Sequence, residues 1–244
     1  MGTFILHPMK PASTLLSRRS HRAFPEITLG DAEIALRLGR VHELCGAARH
    51  TLALAVTARA GGPAIWITAS DPADSLCPDA IAEWINPGDI LFVKAMKRDT
   101  LLWAMEEALR DGQAPVVIAD LPGPPGMVPV RRLHLAAEAG CGKGLCHPLA
   151  LLLTPEDGGA PGIETRWALH AAHRHHTPLW KLDRLRARMA PPKQWVMTCT
   201  KEGLSPNDPA PDAAVETHAL DATKAHDQNN QGTIHTSERM LTRA

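Results

Sequence analysis

The protein has 244 residues, 44% hydrophobic and 21% charged, a composition typical of a globular protein that buries a substantial core. No apolar run approaches the roughly 20 residues that a membrane-spanning helix needs. The 26 basic residues balance the 26 acidic ones, so the net charge of zero excludes nucleic-acid binding through the overall charge of the molecule.

Both the N-terminal residues and the cysteines predict a cytoplasmic protein. The apolar stretches among the first 22 residues are too short and too interrupted for a signal peptide. The five cysteines are irregularly spaced and include no CxxC pair, which favours reduced thiols over a disulfide framework.

The composition divides the chain into three regions. Residues 1–36 have weak periodicity and predict an N-terminal arm, weakly structured or with short helices. Residues 37–200 predict the core of the protein. Residues 201–244 contain few large apolar side chains and no aromatic ones, so we expect a disordered tail that cannot bury enough surface to offset its ordering entropy.

Within the core, strands and helices alternate along the chain. Apolar, β-branched runs predict strands at 40–45, 64–70, 89–95, 115–121 and 149–155. Helical spacing predicts helices at 51–61, 78–85, 99–112 and 130–144, with Asp99 as the N-cap of the third. This order predicts an α/β fold with a mainly parallel sheet covered by helices on both faces.

The three segments after residue 160 have a different pattern. Residues 163–173, 178–188 and 193–200 alternate large side chains with polar or basic ones. Such alternation is typical of strands with one solvated face, so we expect antiparallel additions at an edge of the sheet.

The turn after the first core strand, in the stretch GRVHELCGAARHTLAL (39–54), lies where a nucleotide-binding protein has its phosphate-binding loop. Such a loop needs G-x-x-x-x-G-K-[ST], because glycines allow its backbone N–H groups to surround the phosphates and lysine adds charge. Here Gly46, Arg49 and Thr51 remain, without the second glycine or the lysine. We therefore expect a tight strand-to-helix turn, no nucleotide cofactor and no ATPase activity.

Asp120 ends the strand VVIAD in the manner of a Walker B aspartate, which holds Mg²⁺ in nucleotide hydrolases. Without a phosphate for the ion to bridge, the sequence favours a structural role for this carboxylate.

Histidines and cysteines also cluster, in HAAHRHH (170–176) and CGKGLCH (141–147). Neither spacing matches a structural zinc site, so no metal is predicted and a solvated histidine-rich loop is favoured. The segment 180–193 is the most basic part of the chain. Its candidate contacts to DNA or to an acidic partner are Lys181, Arg184, Arg186, Arg188 and Lys193.

Several motifs together resemble the ImuA family, the RecA-like accessory proteins of bacterial damage-inducible mutagenesis operons. The resemblance covers about residues 36–200. The motifs that carry it, in chain order, are GRVHELCG, TLAL, LLWAMEEALRDG, VVIADL, RRLHLAAEAG, TRWALH and LDRLRAR. The resemblance implies a RecA-like fold with a degenerate phosphate loop. The catalytic glutamate of RecA has no counterpart, because its position falls near Ser70, with Asp71 beside it.

The same resemblance implies a non-catalytic adaptor in SOS-induced, error-prone translesion DNA synthesis. The implied partners are an ImuB-like relative of the Y-family polymerases, an error-prone C-family polymerase and RecA itself, with no membrane partner. The candidate contact elements are the helix at 99–111, the basic segment at 181–193 and the tail after Lys201. Three alternatives stay open: an SOS-associated cell-division inhibitor, a divergent ATPase that uses Arg49 in place of lysine, and a protein that binds DNA directly.

Overall fold

The computed structural model describes residues 25–69, 76–174 and 177–207. The strands are β1 (Glu26–Thr28), β2 (Ala35–Arg37), β3 (Val41–Cys45), β4 (Ala64–Thr68), β5 (Ile90–Lys94), β6 (Val116–Asp120), β7 (Leu149–Leu153), β8 (Thr165–Ala171), β9 (Leu179–Ala187), β10 (Lys193–Thr200) and β11 (Gly203–Pro206). The helices are α1 (Arg49–Ala60), α2 (Pro78–Ala82), α3 (Arg98–Asp111) and α4 (Met127–Lys143), with a 3₁₀ turn at Pro87–Asp89.

Nine strands form one mixed sheet in the order β11-β10-β9-β8-β3-β7-β6-β4-β5. From β8 to β5 in this order, each strand pairs in parallel with the next. Strands β9, β10 and β11 continue the sheet beyond β8 in antiparallel pairing. The prediction of a mainly parallel sheet with antiparallel edge strands is confirmed, with one refinement: β8 itself pairs in parallel with β3.

Alternate residues of the central strands supply two separate cores. On one face, Ile118 and Leu151 pack in a cluster with α1 and with the β1–β2 hairpin. On the other face, Val117 and Leu152 pack against α3 and α4. Because successive strand side chains point to opposite faces, these continuous apolar runs require cover on both sides, and the predicted two-faced arrangement is confirmed.

Helices α3 and α4 pack closely because glycine lies at their contact. A Cβ atom on Gly140 of α4 would lie only 2.0 Å from the carbonyl oxygen of Leu109 in α3. Helix α3 ends at Gly112, which adopts a left-handed conformation, as the sequence predicts. The prediction of Asp99 as N-cap is wrong, because the cap position is Lys97 and Asp99 lies inside the first turn. There a negative charge still interacts favourably with the helix dipole.

Two region boundaries also differ from the sequence predictions. The segment assigned to the arm contains the β1–β2 hairpin, in which Leu29, Ile34 and Leu36 are buried in the α1-side core. The predicted tail begins too early, because residues 203–206 form β11 and Leu204 is 2% exposed. Strands β1 and β2 have three residues each and β11 has four, which is too short for hydrophobic periodicity to predict them. Residues 1–24 and 208–244 lie outside the described part of the chain.

Among the described residues, no helix has both the length and the apolar composition required to cross a membrane.

Candidate functional site

Three residues, Gly46, Ala47 and Ala48, connect β3 to α1 at the carboxyl edge of the parallel strands. Gly46 has a φ of +83°, a conformation that other residues rarely adopt. A Cβ atom at Gly46 would lie 2.6 Å from the carbonyl oxygen of Leu169 in β8. The turn therefore requires glycine because it is tight and lies directly against β8.

Two backbone N–H groups of this turn, those of Gly46 and Ala48, are bonded within the protein. Gly46 donates to the carbonyl oxygen of Glu156 at 2.8 Å, and Ala48 donates to that of Leu169 at 2.9 Å. A phosphate-binding loop directs such N–H groups at its ligand. Here neighbouring backbone already takes the N–H groups of Gly46 and Ala48, so neither is directed at a ligand.

A buried carboxylate fixes the segment that covers the turn. Glu43, in the middle of β3, has no solvent exposure. It accepts hydrogen bonds from the Thr154 hydroxyl at 2.8 Å and from the backbone N–H groups of Gly159 and Ala160 at 2.9 and 3.1 Å. Arg166 of β8 forms an ion pair with it, Nε to Oε2 2.5 Å. The segment 154–160, which includes the carbonyl of Glu156, is thus held to β3.

The sequence predictions missed Glu43. The available signal was a glutamate in the middle of a predicted core strand, since a carboxylate buried in a sheet requires a charged or hydrogen-bonding partner. Its partner, Arg166, lies 123 residues further along the chain, and nothing in the local pattern identifies it.

Asp120, at the end of β6, bonds to a side chain from the first turn of α1. The Nε2 atom of His50 lies 2.8 Å from its Oδ2, and Arg49 Nε lies 4.0 Å from its Oδ1. The His50 ring also packs near the buried Trp66, with centroids 6.0 Å apart. Thr51, half-buried in α1, follows these two residues. The structure therefore brings Arg49 and His50, which follow the Gly46 turn, to Asp120, where His50 and the carboxylate form an imidazole–carboxylate pair.

A second buried polar network lies on the other side of β3. His42 is fully buried, with its Nδ1 atom 2.6 Å from the Thr165 hydroxyl and its Nε2 atom 2.9 Å from the carbonyl oxygen of Arg37. Burial lowers the pKa of His42 from 6.5 to about 4. The neutral ring then donates to the carbonyl through Nε2–H and accepts from the hydroxyl at Nδ1. This histidine has a structural role.

The predicted basic contact residues separate into buried and exposed ones. Arg184 is only 5% exposed and donates to the carbonyl oxygens of Pro191 at 3.0 Å and Glu33 at 2.8 Å. Its guanidinium also lies over Trp167 and Trp195, at 5.7 and 5.1 Å from the ring centroids. The interior position follows from β9 alternation, since Arg184 shares its face with buried core residues. A surface contact through this side chain does not fit its location.

The other four basic residues lie at the surface. Lys181 pairs with Asp183 at 3.3 Å, Arg188 pairs with Glu164 at 3.5 Å, and Lys193 pairs with Glu33. Arg186 is exposed and makes no ion pair with any described residue. Three of the four charges are therefore already balanced by a carboxylate, and the segment is less basic as a surface than its sequence indicates.

Helix α3, the other described contact candidate, has an apolar side chain on its outer face. Trp103 is 59% exposed, beside a cavity of about 170 Å³ between α3 and α4. Nearby, Glu106 is largely buried and bonds to Arg110 at 2.5 Å and to Arg132 at 2.6 Å. This face thus combines an exposed indole with a fixed ion-pair network.

The clustered histidines and cysteines form no metal site among the described residues. All five cysteines are free thiols, as expected. His175 and His176, and the catalytic-glutamate positions Ser70 and Asp71, lie outside the described residues.

No protein-family model and no curated protein matches the chain. The resemblance to the ImuA family stays a prediction.

Proposed function

We propose that this protein is a non-catalytic adaptor with a RecA-like core, which acts in SOS-induced, error-prone translesion DNA synthesis. The observation that carries the non-catalytic part is the tight turn at Gly46, in which the N–H groups of Gly46 and Ala48 are bonded to the carbonyls of Glu156 and Leu169. The pathway and the partners rest on the resemblance to the ImuA family.

The energetics of the turn support the absence of nucleotide chemistry. A triphosphate at Gly46 would have to break both backbone hydrogen bonds and displace the segment 154–160. That segment is anchored to Glu43 by hydrogen bonds from the Thr154 hydroxyl and the N–H groups of Gly159 and Ala160, and a hydrogen bond to a charged group contributes about 1.5–3 kcal/mol. The turn at 46–51 contains no lysine that could offset this cost by binding a phosphate.

Asp120 supports the same conclusion. In a nucleotide hydrolase this carboxylate would hold Mg²⁺, whereas here it bonds to His50 at 2.8 Å. A metal ion would have to displace the imidazole, and it would then find no phosphate held by the turn.

The RecA-like assignment is supported by the relation between β3 and β6. Their carboxyl ends lie at the same edge of a parallel sheet, so that the Gly46 turn and Asp120 occupy neighbouring positions, as a phosphate loop and a metal-binding aspartate do in a motor protein. We infer that this core is a scaffold whose outer surfaces bind an ImuB-like protein, a C-family polymerase and RecA.

Nucleotide binding is tested directly with a fluorescent ATP analogue in the presence of Mg²⁺. We expect no saturable binding at micromolar protein, either for the natural chain or for Asp120→Ala. Tight, Mg²⁺-dependent binding that Asp120→Ala abolishes would refute the non-catalytic assignment and favour a divergent ATPase.

The adaptor role is tested by affinity purification from DNA-damaged cells. Exposed tryptophans often dominate interface energetics, so Trp103→Ala is expected to reduce the recovery of the ImuB-like protein or the polymerase. Leu145→Ala, which truncates a side chain that is 90% exposed at another site, is the matched control.

Recovery of the division-ring protein instead would favour a cell-division inhibitor. Salt-dependent gel shifts that are lost in Arg186→Ala would favour direct DNA binding.

A further inference from the structure

The outer face of α4 carries a row of side chains that the proposed function does not use. They recur at intervals of four, four and three residues, which places them on one side of the helix: Met127, Arg131, Leu135 and Glu138. The opposite side of α4 supplies Val130, Leu133 and Ala137 to the core. The exposed row is therefore a second, separate face of this helix.

This row lines a concave surface with a volume of about 320 Å³. Two further arginines complete its wall, one just before β3 and one just after β9. We call this surface the basic groove; the residues that define it here are Arg40, Met127, Arg131, Leu135, Glu138 and Arg188.

The groove has an excess of positive charge. Its lining contains three arginines and one carboxylate, Glu138, which pairs with Arg40. Arg188 pairs with Glu164 at 3.5 Å but remains 59% exposed. Arg131 is exposed and makes no ion pair within the described ranges. The groove therefore presents at least one uncompensated guanidinium to a ligand.

The histidine of the groove adds no charge. His134 lies with its Nε2 atom 3.2 Å from the carbonyl oxygen of Gly162, and burial lowers its pKa. The ring is neutral at physiological pH and donates to that carbonyl. The attraction for anions thus comes from the arginines.

Apolar surface lies between these charges. Met127 is 55% exposed and Leu135 is 58% exposed, so both present hydrocarbon to the groove. The volume of about 320 Å³ is at the lower limit of small-molecule sites, a size suited to one or two side chains. A ligand that fits must combine an apolar group with negative charge beside it.

We propose that the basic groove binds an acidic segment of a partner protein that inserts one apolar side chain between flanking carboxylates. The apolar side chain would pack on Met127 and Leu135, and a carboxylate would pair with Arg131. This inference does not depend on the translesion role.

A peptide fits the groove better than nucleic acid does. Phosphate contacts favour a continuous basic track, whereas Glu138 lies within this lining and the exposed hydrocarbon of Leu135 matches no phosphate group. The lining also contains no tryptophan, tyrosine or phenylalanine on which a base could stack, and its one imidazole, His134, is bonded to the carbonyl oxygen of Gly162.

The test is a selection from a random dodecapeptide library on the full-length protein, followed by titration of the selected peptides. We expect enrichment of Asp and Glu around a Leu, Met or Phe. We also expect affinity to fall about 10-fold in Arg131→Glu and several-fold in Leu135→Ser. Matched controls at exposed sites outside the groove, Lys143→Glu and Leu145→Ser, should bind as the natural protein does.

The proposal is overturned if no peptide is selected, if the selected peptides lack acidic residues, or if Arg131→Glu and Lys143→Glu bind them equally. It is also overturned if a labelled single-stranded oligonucleotide, or a second copy of the chain, binds to the same residues and acidic peptides do not compete.

Discussion

The buried His42 predicts a specific dependence of stability on pH. Desolvation is the main cause of its lowered pKa, with electrostatic repulsion from His134, Arg37 and Arg40 acting in the same direction. The hydrogen bond to the Arg37 carbonyl, which favours the charged form, only partly opposes them. In the unfolded chain the same imidazole is solvated and has its ordinary pKa of 6.5.

The sign and the magnitude follow from these two values. Above pH 6.5 the histidine is neutral in both states, and its contribution to stability is complete. Between pH 6.5 and about 4 the unfolded chain binds a proton that the folded protein does not, so stability falls as the pH falls. At about 1.4 kcal/mol per pH unit the total loss is about 3 kcal/mol, of which about 2 kcal/mol occurs between pH 7 and pH 5. Below pH 4 this residue causes no further loss.

The assay is urea unfolding followed by tryptophan fluorescence at pH 7 and pH 5, for the natural protein and for His42→Gln. Glutamine does not titrate, and its amide can donate to the Arg37 carbonyl and accept from the Thr165 hydroxyl. The natural protein should lose about 2 kcal/mol more than the variant over this range. Other titrating groups are common to both proteins and cancel in the difference.

Equal losses in the two proteins would refute this reasoning. If His42→Gln does not fold, an NMR titration of the His42 ring in the natural protein gives the same test. A ring that becomes protonated near pH 6.5 would contradict the buried, neutral state.

Three further changes test the architecture around the turn through urea unfolding at pH 7. Glu43→Gln should lower the free energy of unfolding by about 3–5 kcal/mol because it leaves Arg166 without its charged partner, and a loss below 1 kcal/mol would contradict the anchoring role. Gly46→Ala should lower the free energy of unfolding by at least about 2 kcal/mol, because both the positive φ and the contact with the Leu169 carbonyl oppose a Cβ atom. An unchanged transition midpoint would argue against the tight turn. Arg184→Ala should lower the free energy of unfolding by about 3 kcal/mol, because it leaves two carbonyl oxygens without a donor and removes the ring contacts. The exposed control Arg186→Ala should change it by less than about 0.5 kcal/mol. Similar values for the two variants would contradict the buried position of Arg184.

The central α/β elements could be predicted because their signals are local. The run of residues 149–153 is entirely apolar, as a strand buried on both faces requires, and Gly112 marks the end of α3 as helix chemistry predicts. The β1–β2 hairpin and β11 could not be predicted in this way. Their stability comes from residues such as Leu36 and Leu204, which become buried only when distant parts of the chain pack on them.

The candidate site was predictable in its composition but not in its bonding. The missing lysine and second glycine are visible around Gly46, and they predict a turn unsuited to phosphate. The pairing of Asp120 with His50 joins residues 70 positions apart, and the Glu43–Arg166 pair joins residues 123 positions apart. For the same reason Arg184 was expected at the surface, because the two tryptophans that enclose it belong to other strands.

The anchored segment over the Gly46 turn limits which substitutions could convert this turn into a phosphate-binding loop. Introducing a lysine next to Gly46 would not by itself create a nucleotide site, because the segment bonded to the Gly46 N–H would still be fixed to Glu43. Replacing Glu43 first would weaken the whole sheet before any ligand contact was gained. A phosphate-binding loop at this position would therefore require several simultaneous substitutions.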